Sequence, residues 1–202
     1  MKIVITSKKG GATKSTQAKE IAFRFNLPII NLDIDSHIKD YYPKLNIVDA
    51  KENELIPVVE KGVYDFPAGD IFKKFPNIES IIKGSDLIII PTLYASESVD
   101  RAIDTYRTVS KHNDNILFIV SQTKDKGNIK DTKDYIEASV ATEVAIMDIR
   151  FSLGMGNAED NGRSIFEEAD KANKLIARNY KKGILADYDE LFDIIEMVME
   201  DK

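Results

Sequence analysis

The chain has 202 residues, of which 43% are hydrophobic and 31% charged, and a formal net charge of −6. These are the proportions of a globular domain with a substantial core, and we expect one domain over residues 1–202. Without cysteine the chain has no disulfides or thiolate metal sites, and its two histidines argue against a transition-metal site. No run approaches the roughly 20 apolar residues of a membrane span. With no apolar leader, we expect a cytoplasmic protein.

The first element is an apolar run, Ile3–Ile5, that leads into the glycine-rich segment Lys9–Thr16. This pattern predicts a strand, a loop and the start of a helix. Two adjacent glycines let the backbone approach an anion closely, and the N–H groups of the loop and of the helix N-terminus bind phosphate. Lys14 is placed to reach the β/γ-phosphates, and Ser15 to ligate Mg²⁺. The predicted nucleotide-binding residues are Lys9, Gly10, Gly11, Ala12, Thr13, Lys14, Ser15 and Thr16.

Acidic residues end the second and third predicted strands. Asp33 and Asp35 follow the apolar run Ile29–Leu32, and carboxylates at i and i+2 of a strand point the same way. In an open α/β sheet this end of the strand lies at the edge where ligands bind. Asp65 ends the third strand within the segment Val63–Asp70. There are structural alternatives to a functional site. Asp33 and Asp35 would then simply end a strand, and the segment Val63–Asp70 would be a plain turn.

Strand-like runs alternate with helical patterns along the rest of the chain. This order predicts an α/β fold, with a mostly parallel twisted sheet and helices on both faces, of the P-loop NTPase type. Residues 41–61 give no clear prediction. Helical spacing is found over 18–25, 99–109, 165–176 and 191–198. The predicted strands are Lys2–Thr6, Pro28–Asp33, Gly62–Phe66, Asp86–Pro91, Asn115–Ser121 and Glu143–Ile149.

The C-terminal quarter divides into a basic and an acidic part. Residues 184–202 contain seven acidic residues and one lysine, whereas residues 171–182 contain five basic residues and no acid. A solvated helix face explains such a block, and contact with nucleic-acid phosphates is the functional alternative. The acidic final helix argues against binding to anionic lipid. The basic residues are Lys171, Lys174, Arg178, Lys181 and Lys182.

These motifs together resemble the ParA/MinD family of deviant Walker A ATPases. In this chain Thr13 stands where the ordinary Walker A motif has a glycine, and Lys9 precedes the two glycines. In length and layout the chain is most similar to the small plasmid-partition ParA proteins that lack a helix-turn-helix domain. Further matches to the family are Asp33-Ile34-Asp35, Asp65-Phe66-Pro67-Ala68-Gly69 and Asn161-Gly162-Arg163-Ser164-Ile165-Phe166-Glu167.

The resemblance implies roles for particular residues. Lys9 reaches across a homodimer to the phosphates of the partner, and Asp35 orients the attacking water, so that the catalytic set is Lys9, Lys14 and Asp35. Mg²⁺ is held by Ser15, Asp33 and Asp65. The family has an asparagine on the adenine side where Ser121-Gln122 stands here, and the resemblance therefore does not identify the adenine-contacting residues. DNA-binding residues on this basis are Arg150 and Arg163 together with the five basic residues of 171–182.

The function implied by the resemblance is an ATPase switch that segregates plasmid DNA or a similar cargo. ATP and Mg²⁺ are its cofactors, and its intrinsic hydrolysis is slow. The ATP-bound homodimer binds duplex DNA without sequence preference, is associated with the nucleoid, and is stimulated by a small centromere-binding adaptor of the ParB type. Related ATPases position a microcompartment, a chemoreceptor array or a conjugation complex. The remaining hypotheses are an ATP-dependent enzyme of the dethiobiotin-synthetase type and a nucleotide-binding scaffold without hydrolysis.

Overall fold

The strands of this protein form a seven-stranded sheet in which every pairing is parallel. The structure is a computed structural model that describes residues 1–33, 38–123, 126–140 and 142–200, with side chains for all of these except 126–128. The order across the sheet is β3-β2-β4-β1-β5-β6-β7. The strands are β1 (Lys2–Ile5), β2 (Ile29–Asn31), β3 (Ile47–Asp49), β4 (Gly62–Asp65), β5 (Leu87–Leu93), β6 (Ile116–Thr123) and β7 (Ala145–Arg150).

Helices connect most of the strands, as parallel pairing requires. None of the helices in the described ranges is both long and apolar enough to cross a membrane. They are α1 (Lys14–Phe25), α2 (Ile38–Tyr41), α3 (Ile78–Lys83), α4 (Ser96–Val109), α5 (Lys126–Val140), α6 (Leu153–Asp160), α7 (Ile165–Lys171), α8 (Lys174–Lys182) and α9 (Ile184–Glu200), with a 3₁₀ turn at Ile71–Lys73.

The core lies on both faces of the sheet. Along β1, Ile3 and Ile5 pack into one cluster with Phe192 of α9, whereas Val4 packs into the opposite cluster with Ile103 of α4. Successive side chains of a strand point to opposite faces, so a strand that is covered on both sides is apolar at every position. The uninterrupted hydrophobic runs therefore correspond to the central strands, and the predicted α/β fold is confirmed.

Two parts of the sequence prediction need correction. The structure contains the six predicted strands, but it adds β3 within residues 41–61, where we predicted no element. The helical pattern over 165–176 is not one helix, because Ala172 has an extended backbone, with φ −72° and ψ 154°. Asn173 then accepts hydrogen bonds from the N–H groups of Leu175 and Ile176 and begins α8. An asparagine at this position is a strong N-cap, and it outweighs the continuing apolar spacing.

The strand register brings distant acidic and glycine-rich segments together at one edge. Asp65 of β4 lies in register with Ile5 of β1 on one side and with Asn31 of β2 on the other. The loop that follows β1 therefore starts beside the end of β4. From β1 the sheet extends in one direction through β4 and β2, and in the other through β5 and β6. The carboxyl edge at such a change of direction is where α/β proteins bind ligands.

A buried ion pair ties α1 to the C-terminal quarter of the chain. Lys19 Nζ lies 3.1 Å from Glu20 Oε1, and these side chains are 2% and 0% exposed. Both carboxylate oxygens of Glu20 accept the Ile165 N–H, at 3.1 Å, and Lys19 also donates to the Tyr42 hydroxyl at 3.1 Å. Burial raises the pKa of Glu20, and the Lys19 ammonium and the Ile165 N–H oppose that rise. Glu20 thus fixes the first turn of α7 against the helix that follows the phosphate loop.

Glu20→Ala should lower the free energy of unfolding by about 3–5 kcal/mol, because the substitution leaves the Lys19 ammonium buried without its carboxylate. Urea denaturation at pH 7 measures this loss. Lys44→Ala is the control, since Lys44 forms an exposed pair with Glu167 at 3.4 Å and its removal should cost less than about 1 kcal/mol. Equal effects of the two substitutions would contradict a structural role for the buried pair.

Candidate nucleotide-binding site

The loop between β1 and α1 has the backbone geometry of an anion cradle. Gly11 has φ +72° and no atom within 4 Å of the position that a Cβ would occupy. Thr13 also has a positive φ, 66°, and its side chain forms no cap hydrogen bond with α1. The first N–H groups of a helix have no partner within the helix. They are therefore available to a phosphate group at this helix N-terminus.

Lys14 is the first residue of α1 and supplies a buried positive charge to this loop. The residue is only 6% exposed. Burial lowers the pKa of Lys14, and the carboxylates of Asp65 and Asp33 oppose this effect. Lys14 forms no ion pair within 4 Å of its ammonium with the residues described. An anionic ligand in the loop would therefore stabilise the charged form of this side chain.

Asp65, at the end of β4, is a fully buried carboxylate. Neither of its oxygens accepts a hydrogen bond of normal geometry from the described part of the chain. Burial raises the pKa of Asp65 to about 7, although the nearby Ser15 hydroxyl and the Lys14 ammonium lower it. A buried polar group without a partner is costly. This arrangement is typical of a site that is completed by a cation or a ligand.

The oxygen groups near the loop suit Mg²⁺. Asp33 follows β2, where its N–H donates to Asn31 Oδ1 at 3.3 Å, and it is close enough to influence the pKa values of both Lys14 and Asp65. No group of three or more His, Cys, Asp or Glu residues in the described ranges is placed to hold a metal alone. Mg²⁺ usually binds through one or two carboxylates together with phosphate and water, so Asp65 and the Ser15 hydroxyl fit this ion.

Lys9, another predicted catalytic residue, is paired with an acidic residue of α4. The Lys9 amine lies 3.0 Å from Glu97 Oε1 at the start of α4, and this contact lowers the pKa of Glu97. Lys9 is therefore held on the side of the loop that faces α4, and about a third of its side chain is exposed. Asp35, the predicted water-orienting residue, lies outside the described residues.

The seven residues predicted to bind DNA fall into two groups. Arg150 is engaged within the protein, since its Nε lies 2.9 Å from Asp187 Oδ2 and its NH1 and NH2 groups donate to the carbonyls of Lys182 and Gly183 at 3.2 and 3.3 Å. Arg163 pairs with Glu168 at 3.2 Å. The remaining five are exposed and form no ion pair with the residues that the structure describes. These are Lys171, Lys174, Arg178, Lys181 and Lys182.

A cavity of about 250 Å³ adjoins the phosphate loop, and no sequence pattern predicts it. Thr13 and Gln17 line it from the side of the loop, and Ser121, Phe151 and Tyr188 line it from β6, the segment after β7 and α9. Its position beside the loop suits the base and ribose of a nucleotide. The only local signal is Ser121-Gln122 at the end of a strand, because the other lining residues are far apart in the chain. A larger cavity, of about 480 Å³, lies at the opposite edge of the sheet, at the amino ends of β5, β6 and β7.

The fold corresponds to that of known ATPases. No protein-family model matches the chain, and no curated protein matches it. Among solved structures, MinD from Aquifex aeolicus superposes with a TM-score of 0.61 and 16% identity over 95% of this chain and 97% of that one. Apo McdA from Cyanothece gives a TM-score of 0.61 and 16% identity over 82% and 92% of the chains.

A putative plasmid partition protein from Borrelia burgdorferi, bound to AMPPNP, superposes with a TM-score of 0.54 and 13% identity over 90% of this chain and 98% of that one. This chain has the ParA/MinD fold. The resemblance that the segment Lys9–Thr16 indicated is confirmed at the level of three-dimensional structure. At these identities the superpositions establish the fold alone.

Asp65→Asn should change how stability depends on pH in the nucleotide-free protein. The native pKa of Asp65, about 7, lies above its ordinary value of 3.8, so the folded state keeps a proton that the unfolded state loses. The contribution of Asp65 to stability therefore falls as pH rises from about 4 to about 7, by on the order of 4 kcal/mol. Asparagine has the shape of the protonated carboxyl group and no charge, so the variant should lack this fall.

Urea denaturation at pH 5 and pH 8 measures this difference. Asp189→Asn, at an exposed position of α9, should keep the pH dependence of the wild type. If Asp65→Asn also keeps it, burial does not raise the pKa of Asp65 as we assign.

Proposed function

We propose that this protein is an ATPase that dimerises when ATP is bound and that positions plasmid DNA or a similar cargo. The observation that carries the proposal is the juxtaposition of the uncapped N-terminus of α1 and buried Lys14 with the carboxylate of Asp65, which is fully buried and accepts no hydrogen bond of normal geometry from the described residues. The loop and Lys14 suit the phosphates of a nucleotide, and Asp65 suits the associated Mg²⁺. The fold shared with MinD, McdA and a partition protein bound to AMPPNP supports this interpretation.

Each residue of the site has a distinct proposed part in hydrolysis. Lys14 and the loop N–H groups bind and orient the phosphates, and Ser15 and Asp65 hold Mg²⁺, which neutralises phosphate charge when it is bound. Asp35 orients the attacking water, and Lys9 of each protomer approaches the phosphates bound to the other. Phosphoryl transfer depends mainly on positioning and charge stabilisation. An isolated protomer lacks the second Lys9, so its hydrolysis should be slow.

Lys14→Ala and Asp35→Ala should separate binding from hydrolysis. Loss of the Lys14 ammonium removes charge-assisted hydrogen bonds to the phosphates and should weaken ATP binding at least about tenfold. Asp35→Ala should bind ATP normally but hydrolyse it about 10²–10⁴-fold more slowly. Calorimetry with ATP–Mg²⁺ and a phosphate-release assay measure the two quantities. Equal loss of ATP affinity in both variants would refute this division of roles, and no binding by the wild type would refute the proposed function.

Lys9→Ala should prevent ATP from driving dimerisation. The Lys9 amine pairs with the exposed carboxylate of Glu97, and it can exchange this weak contact for a phosphate across a dimer. We expect the dimer dissociation constant with a nonhydrolysable ATP analogue to rise about 10–100-fold. Light scattering measures it, and Lys8→Ala is the control from the same loop. Dimerisation of Lys9→Ala at the wild-type concentration would contradict the cross-dimer role.

The exposed basic residues of α8 are the proposed DNA surface. Because each protomer offers only a weak site, nonspecific duplex DNA should bind tightly only to the ATP-bound dimer, where two sites act together. Arg178→Glu combined with Lys181→Glu should weaken this binding and lower its salt dependence by about 0.9 in slope for each phosphate that is no longer neutralised. ATP-driven dimerisation should be unchanged, because α8 lies apart from the phosphate loop.

Fluorescence anisotropy with duplexes of unrelated sequence measures this affinity at several salt concentrations. The control combines Lys83→Glu with Lys111→Glu, two exposed lysines near the amino edge of the sheet, and should bind as the wild type does. DNA binding that needs no nucleotide, or that charge reversal on α8 leaves unchanged, would show that the surface lies elsewhere. A small adaptor of the ParB type and nucleoid association complete the proposed system.

A further inference from the structure

Thr13 has a backbone conformation that a β-branched residue rarely adopts. Its φ and ψ are 66° and 20°, in the left-handed region. The Cβ of an L-residue approaches the carbonyl oxygen in this region, and a β-branched side chain there is a genuine outlier. Such strain persists only where the surrounding structure imposes it, and it is concentrated at functional sites. In this chain it lies at the position where an ordinary Walker A loop has glycine.

A hydrogen bond to a distant strand imposes this conformation. Thr13 Oγ1 lies 2.8 Å from Ser121 Oγ and 2.6 Å from the carbonyl oxygen of Ala12. Ser121 is 1% exposed. It is in register with Leu93 of β5 on one side and with Ile149 of β7 on the other. The hydroxyl that holds Thr13 is therefore fixed on a strand that is paired on both sides.

The same hydrogen bond keeps the N-terminus of α1 open. Thr13 is the N-cap residue of α1, and a threonine in this position ordinarily accepts hydrogen bonds from the second or third N–H of its own helix. Here its side chain forms no such bond, because the hydroxyl lies against the Ala12 carbonyl oxygen and Ser121 Oγ. The N–H groups of Ser15 and Thr16 are consequently not occupied by the cap side chain, and they remain available to an anion.

We propose that Thr13 and Ser121 are a positioning pair, in which Ser121 holds Thr13 in the left-handed conformation and so prepares the loop for phosphate. The inference deepens the proposed function, since it rests on a nucleotide phosphate as the ligand of this loop. Glycine adopts the left-handed conformation without a side-chain anchor. In this chain the pair takes the place of the glycine of the ordinary motif, and Ser121 acts on the ligand through Thr13 rather than by contact.

The test is a double-mutant cycle of Ser121→Ala and Thr13→Gly, with binding of ADP–Mg²⁺ measured by calorimetry so that dimerisation does not contribute. Ser121→Ala alone should weaken binding about 5–10-fold, the equivalent of one hydrogen bond. Thr13→Gly should bind within about threefold of the wild type. In the Thr13→Gly background the further change Ser121→Ala should have no effect. Ser85→Ala, which removes a buried hydroxyl that donates to the Ile82 carbonyl, controls for the loss of such a group elsewhere.

Two results of this cycle would overturn the proposal. Unchanged binding in Ser121→Ala would show that the pair does not position the loop. If Ser121→Ala weakens nucleotide binding equally in the wild-type and Thr13→Gly backgrounds, Ser121 contacts the nucleotide directly.

If the wild type binds neither ADP nor ATP, the proposed function fails, but the pair is still tested by thermal unfolding without nucleotide. Ser121→Ala should then lower the Tm by about 2–4 °C in the wild-type background and leave it unchanged in the Thr13→Gly background, and equal shifts would refute the pair.

Discussion

The pairing of β1 with β4 is the constraint on which the site depends. It places the end of β4 beside the start of the phosphate loop, because Ile5 and Asp65 are in register. Asp65 is thereby fully enclosed between neighbouring strands, and neither of its oxygens accepts a hydrogen bond of normal geometry from the described residues. Burial acts in opposite directions on two ionisable groups of the site, since it raises the pKa of Asp65 and lowers that of Lys14. The protein groups alone leave the site electrostatically incomplete, and a phosphate with its cation would complete it.

Three contacts between distant parts of the chain hold the carboxyl edge around this site. Thr13 is bound to Ser121 of β6, Glu20 holds the first N–H of α7, and Arg150 joins Asp187 of α9. The Glu20 contact leads directly from the helix of the phosphate loop to α7, which is followed by the basic helix α8. The exposed ion pairs of this protein contribute less to its stability than these three contacts do.

The division of charge in the C-terminal quarter also follows from packing. The apolar side of α9 covers the sheet through Tyr188, Phe192 and Ile195, so its acidic residues, Asp187 excepted, face outward. Asp187 is buried where it pairs with Arg150. The same arginine donates to the last carbonyls of α8, where a cation is favourable. Arg150 is thus engaged in joining β7, α8 and α9, whereas the basic residues of α8 remain at the surface.

Local patterns in the sequence were sufficient to establish the α/β class, six of the strands and the phosphate loop. Continuous apolar runs predict buried parallel strands. Two glycines before Lys14 and Ser15 predict a phosphate cradle whatever the position of this segment in the fold. The edge strand β3 escaped prediction because a strand of three residues gives little periodic signal. The break at Asn173 escaped prediction because the apolar spacing continues past the residue that caps α8. The residues that surround the loop are set by the folded chain as a whole. Ser121, Tyr188 and Glu97 reach it through strand register and helix packing, and the complete burial of Asp65 exists only after the neighbouring strands have closed around it.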